Sequence, residues 1–240
     1  TVWGVACGLM WTGGQVFVLW AFRAWGVSRT MPLTTALQLL LNATLGVSLF
    51  GEWRAPGALI LGMVALALIM LGAAACSWQE RTGPGPTPAQ RRAGLLATAA
   101  SAVLYGSYPS LLRAVEVPPA HAVGPMGLGL LAGAGLCALI QPRRAPLRGP
   151  RIVPAALAGG LWAVGNALML RSTAAVGVAS GFTLSQLGFV LATLGGLTIL
   201  GEERTGRERT AVAAGVAAAV VGLVLMGLAT SMDTGASPSQ

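Results

Sequence analysis

Ionisable side chains punctuate this chain at long intervals. Charge-free stretches run over residues 1–22, 30–51, 55–79, 93–112, 117–142, 152–170, 172–201 and 210–232, none shorter than 19 residues. A helix rising about 1.5 Å per residue crosses a hydrocarbon core of roughly 30 Å in about 20 residues, so each stretch is long enough to span a bilayer. The pattern predicts eight transmembrane helices and an all-α polytopic membrane protein. The longest polar connection, 79–92, contains Pro84, Pro86 and Pro88 and reads as a linker between residues 1–78 and 93–232. The tail 233–240 is small and polar and is expected to be disordered.

Composition supports the membrane reading and narrows the function. The chain is 55% hydrophobic and 9% charged, where soluble domains carry about 25% charge. Its net charge of +8 comes from 15 basic residues that are all arginine and lie in short loops, which argues against a nucleic-acid partner. Arg23, Arg29, Arg81, Arg91, Arg92, Arg143, Arg144, Arg148, Arg151, Arg204, Arg207 and Arg209 follow odd-numbered helices, whereas Arg54, Arg113 and Arg171 follow even-numbered ones. This asymmetry puts the first group in the cytoplasm and both chain ends outside. The chain starts at Thr1 without a basic n-region or a cleavage site, so the start reads as cut. Cys7, Cys76 and Cys137 each lie in an apolar run and suggest neither disulfides nor a zinc site. One histidine, with no His-Glu-x-x-His or Gly-x-Ser-x-Gly motif, leaves no catalytic set; no enzyme, cofactor or metal is expected.

Two parts of the chain resemble each other. Trp11, Gly14 and Gln15 align with Trp162, Gly165 and Asn166 at an offset of 151, and Gly26-Val27 with Gly177-Val178 at the same offset. After a short gap Gln38 meets Gln186, and Gly51-Glu52 meets Gly201-Glu202. The copies are separated by an odd number of helices and so enter the membrane in opposite senses, as in the inverted repeats of secondary transporters. The second unit has five helices and the first shows three, so equal units imply two further helices before Thr1 and ten in all.

No carboxylate, lysine or arginine sits at mid-membrane depth, which removes an acidic proton relay or a charged pore ring. Carboxamides, hydroxyls and aromatic rings take their place. Trp11 and Gln15 share one helical face, as do Trp162 and Asn166, and Thr34, Gln38 and Asn42 form a stripe. Thr183, Gln186 and Thr193, with Phe182 and Phe189, mark the seventh helix, and Tyr105 and Tyr108 the fourth. Such groups suit an uncharged polyhydroxylated solute: a carboxamide both donates to and accepts from hydroxyls, and a ring covers the apolar face of a sugar. The same residues also serve as interhelical glue or interfacial belt. The candidate substrate-binding set is Trp11, Gln15, Gln38, Asn42, Tyr105, Tyr108, Trp162, Asn166, Thr183 and Gln186. Glu52 and Glu202 read as helix-end groups in contact with water and secondarily as coupling residues. Glu203, Arg204, Arg207, Glu208 and Arg209 read as a solvated loop, His121 as a loop or cap residue, and 177–196 as a bent or discontinuous helix. Gly4 with Gly8, and Gly129 with Gly133, permit close helix approach.

These residues resemble a known family. Trp11 to Gln15, Gly26-Val27-Ser28-Arg29-Thr30-Met31-Pro32, Gln38 and Phe50-Gly51-Glu52-Trp53 are similar to the glucose uptake proteins of the glucose/ribose porter family, within the drug/metabolite transporter superfamily. Ser185-Gln186-Leu187-Gly188, Thr193-Leu194-Gly195-Gly196 and Ile199-Leu200-Gly201-Glu202 resemble its ninth-helix region, and Tyr105 to Pro109 and Pro125 to Gly127 its middle helices. The resemblance implies a ten-helix fold of two five-helix repeats, of which the third to the tenth helix are present. It also implies multi-pass residence in the bacterial inner membrane and uptake of a neutral sugar by alternating access, coupled to proton entry. Implied partners are the sugar, a proton and the bilayer; a homodimer stays open. The alternatives are a transporter of another metabolite or drug in the same superfamily and a non-transporting membrane scaffold.

Overall fold

The computed structural model describes residues 1–78, 80, 86–140, 152–186, 188 and 205–235. Among them the chain is helical throughout, with α1 at Val2–Trp25, α2 at Val27–Phe50, α3 at Ala58–Cys76 and α4 at Pro88–Ala114. Then follow α5 at Pro119–Ile140, α6 at Ile152–Val176, the short α7 at Val178–Ser185, and α8 at Gly206–Gly235. All but α7 are long and apolar enough to cross a membrane, which makes seven candidate spans among the described residues. The expected seventh helix is described only as far as α7 and Gly188; Thr193, Phe189, Glu202, Glu203 and Arg204 lie outside the described residues.

Local chemistry sets the boundaries. Gly26 and Gly177 adopt nearly the same backbone, φ 94°, ψ 159° and φ 93°, ψ 163°, and each breaks one helix from the next. A side chain is strained at such a positive φ, and glycine is not. Around Gly26 the indole Nε1 of Trp25 donates to Thr30 Oγ1, and that hydroxyl donates to the Gly26 carbonyl, both at 2.8 Å. α4 opens with a capping box, in which Gln90 N donates to Thr87 Oγ1 and Thr87 N to Gln90 Oε1, with Pro88 in the first turn. Residues 88–92 are therefore helix, not linker. A second box, Thr205 with Glu208, opens α8. Glu208 is buried there and also accepts from Glu80 N at 2.7 Å, while Arg207 pairs with Glu80 at 3.8 Å. The reading of Glu208 as a solvated loop residue is corrected by this geometry. Likewise Asp233 and residues to Gly235 belong to α8 rather than to a disordered tail. His121 sits in the first turn of α5, its N–H bonded to Pro118 O at 2.9 Å.

Packing follows the small residues. α1 lies against α4 and α5, α3 against α8, and α2 against α4 and α7. Gly4 and Gly8 press on the α5 backbone near Met126 and Gly129, and Gly133 presses on Thr12, so the two expected glycine pairs meet each other. Gly72 and Gly215 face each other's carbonyls so closely that a β-carbon on either would sit at 2.6–2.7 Å. Such contacts maximise dispersion where lipid supplies no hydrophobic drive between helices. Gly159, Gly160 and Gly165 of α6 have nothing within 4 Å of where a β-carbon would be.

Candidate functional site

α1, α2, α4, α6 and α7 surround a cavity of about 540 Å³. That is within the range of roughly 300–1,000 Å³ usual for small-molecule sites. Each helix contributes one stripe. Trp11, Gln15, Val18 and Phe22 follow the α1 face at steps of three and four, and Met31, Thr34, Thr35 and Gln38 do so on α2. Tyr105 and Tyr108 come from α4, Trp162, Gly165, Asn166 and Met169 from α6, and Phe182, Ser185 and Gln186 from α7 and the turn after it. No charged side chain lines it among the described residues.

Aromatic rings and carboxamides alternate on the wall. Trp11 touches both Trp162, at 4.5 Å between centroids, and Tyr105, at 5.4 Å, in tilted arrangements. The Tyr105 hydroxyl donates to Gln15 Oε1, and Tyr108 Oη donates to Asn166 Oδ1 at 2.7 Å. Each tyrosine thus occupies the acceptor of a carboxamide; Asn166 Nδ2 lies 3.4 Å from Met126 Sδ. Among the described residues the Gln38 carboxamide has no side-chain hydrogen bond, although Gln38 is largely buried at the cavity wall.

Eight of the ten sequence-identified residues therefore line one cavity: Trp11, Gln15, Gln38, Tyr105, Tyr108, Trp162, Asn166 and Gln186. Asn42 and Thr183 are off its wall. Asn42 Nδ2 donates to Gln38 O at 2.9 Å and its Oδ1 accepts from Ser110, which holds α2 to α4. Thr183 Oγ1 donates to Ala179 O one turn back. Both are buried, each bonded to a carbonyl of its own helix. Val18, Phe22, Met31, Thr35, Met169 and Ser185 also line the cavity; extending the Trp11/Gln15 stripe by two turns reaches Val18 and Phe22, and extending the Thr34/Gln38 stripe back by one turn reaches Met31.

Glu52 is not at a watery helix end. It is 8% exposed, and its carboxylate accepts from Val178 N at 2.7 Å and Ala179 N at 2.8 Å while pairing with Arg113. It lies beside a separate polar cavity of about 210 Å³ and does not reach the larger one. Among the described residues no cluster of three His, Cys, Asp or Glu could hold a metal.

Residues 1–229 match the model of a family described as sugar transport protein. The chain is 34% identical over 227 residues to the glucose uptake protein GlcU of Bacillus subtilis, covering 94% of this chain and 78% of that one. It is also 34% identical over 230 residues to the probable glucose uptake protein GlcU of Priestia megaterium, covering 95% and 79%. A chain of known crystal structure shares the fold, with a TM-score of 0.68 over 99% of this chain and 78% of that one at 24% identity. With seven candidate spans among the described residues and a family match over nearly its whole length, this chain is a multi-pass bacterial membrane protein that belongs to the sugar transport protein family.

Proposed function

We propose that the protein takes up a neutral sugar of the glucose or ribose class by alternating access, driven by proton entry. The observation that carries this reading is the cavity wall: the Trp11 ring in contact with those of Trp162 and Tyr105, beside carboxamides, with no charge among the described lining residues. A sugar ring stacks its C–H face on such rings and offers its hydroxyls to the amides at its edge. An organic cation would instead call for a buried carboxylate in the cavity. Relatives at 34% identity that are named for glucose uptake support the same substrate class.

Alternating access is supported by the matched units. Gly26 and Gly177 share one backbone geometry, and Trp11 with Gln15 and Trp162 with Asn166 bring equivalent residues from the two units to one cavity. We read residues 1–78 and 93–232 as parts of two oppositely inserted units that rock about this site. Glu52 and Glu202 remain the coupling candidates; Glu52 stands outside the cavity, and Glu202 lies outside the described residues.

The test is uptake of labelled glucose and ribose by cells that lack other sugar uptake, with the proton gradient intact and collapsed. Entry that falls on collapse supports both parts of the reading. Entry that is unchanged on collapse removes proton coupling, and entry of neither sugar, with the protein shown in the membrane, removes the sugar reading.

A further inference from the structure

The ends of α2, α4, α7 and α8 that the arginine distribution puts outside converge on the smaller polar cavity. Glu52, just past the end of α2, is the hub. α7 has no side-chain cap of its own; its first two N–H groups donate to the two carboxylate oxygens of Glu52, and Arg113 from the last turn of α4 pairs with Oε1. A carboxylate at the positive end of a helix is favoured by the helix dipole as well as by its hydrogen bonds. Arg113 is also held over the Phe50 ring at 4.4 Å. Asp233 of α8 accepts from the backbone of Trp53 and Ala55, and Trp53 Nε1 donates to Ser180 of α7 at 3.1 Å. Trp53 takes a left-handed φ of 59° to do this, a conformation that persists in a non-glycine residue only when its surroundings hold it.

The two cavities are joined by the helices they share. Phe182, one turn along α7 from the N–H groups that Glu52 holds, lines the sugar cavity and is 2% exposed. Tyr108, five residues before Arg113 on α4, lines it too and is 4% exposed. At the opposite end, beside the α1–α2 junction, Met31 is 46% exposed. Among the described residues, the lining is therefore buried at the end where Glu52 and Arg113 meet, while Met31, towards the end that the arginines put in the cytoplasm, is exposed.

We propose that Glu52 and Arg113 are the outer gate: positioning residues that draw α7 and α4 together over the cavity, and that separate when solute enters from outside. The proposal rests on the alternating-access reading. It assigns to Arg113, which the sequence counts only as an outer loop charge, a part in the transport cycle. Removing the pair lowers the cost of opening outward without touching a cavity-lining group.

The experiment reads the state of the gate directly. In a background with Cys7, Cys76 and Cys137 replaced by Ala, Met169→Cys puts one thiol on the buried end of the cavity wall. Labelling by a membrane-impermeant maleimide is then measured from each side in right-side-out and inverted vesicles. The parent labels from the cytoplasmic side. Arg113→Gln and Glu52→Gln are each expected to raise labelling from outside by about tenfold, while Arg113→Lys stays near the parent. In the same vesicles the variants change the maximal rate of glucose uptake more than its KM. Outside labelling that is unchanged in both glutamine variants, or equal from both sides in the parent, overturns the gate whatever solute is carried. The labelling switch together with no uptake of glucose or ribose supports the gate and overturns the sugar reading.

Discussion

Trp11 and Trp162, 151 residues apart in the chain, meet with ring centroids 4.5 Å apart and planes inclined at 54°. Each supports the other on the cavity wall, and Tyr105 extends the surface on the Trp11 side. An aromatic contact of this kind contributes about 0.5–1.5 kcal/mol beyond area burial. Trp11→Ala and Trp162→Ala are each expected to raise the half-saturating glucose concentration roughly 2- to 10-fold. Trp162→Phe, which keeps a ring, is expected to lose less. Uptake kinetics equal to the parent in both alanine variants would remove the stacking surface from the mechanism.

Gln38 and Asn42 lie one turn apart on α2 but do different things. Removing the Gln38 or Gln186 carboxamide deletes a group that faces the cavity. Gln38→Ala and Gln186→Ala should weaken uptake by roughly 2- to 10-fold, the equivalent of about 0.5–1.5 kcal/mol per hydrogen bond, with normal protein yield. Asn42→Ala cuts the bond from Ser110 and should lower thermal stability in detergent before it alters KM. A reversed outcome, with KM moved by Asn42→Ala and not by Gln38→Ala, would exchange their roles.

Tyr108 donates to Asn166 Oδ1 in a buried setting. Tyr108→Phe leaves that oxygen without its donor, at a cost of about 1–3 kcal/mol. Thermal unfolding of the purified protein is expected to move down accordingly, and Tyr108→Phe with Asn166→Leu should recover part of the loss. No change in the single variant would mean that the bond is replaced by water.

The glycines of α1 and α6 stand in unlike surroundings. A β-carbon at Gly8 would collide with Met126 O and Gly129 of α5, whereas at Gly159 it would meet nothing within 4 Å. Gly8→Ala should destabilise by about 1–3 kcal/mol through overpacking, and Gly159→Ala by little in the same assay. Equal melting temperatures for the two variants would contradict the α1–α5 approach.

Much of this architecture is legible in the residues. Charge-free runs locate the spans because a buried charge is costly in lipid, and a spacing of four puts Trp11 with Gln15 on one face whatever the helix packs against. The same spacing misleads for Asn42 and Thr183. Helical phase tells which face a residue is on but not whether a nearby carbonyl takes its hydrogen bond, as Gln38 O and Ala179 O do. The capping boxes Thr87 with Gln90 and Thr205 with Glu208 were readable as helix starts, and proline and charge content hid them. The meeting of Glu52 with Arg113 and the start of α7 was not readable, because those partners lie 61 and 126 residues away and are brought together only by the assembled bundle.

α3 and α8 touch backbone to backbone at Gly72 and Gly215, and Gly222 sits against Ala65 and Ile69. Surfaces this close offer no side-chain layer to shear, so the two helices act as a keel. On the alternating-access reading proposed above, whatever tilts in the membrane as solute passes has to tilt around them. Two probes fixed on α3 and α8 would therefore report one separation throughout turnover, and would give a fixed frame against which displacements of the other helices can be measured.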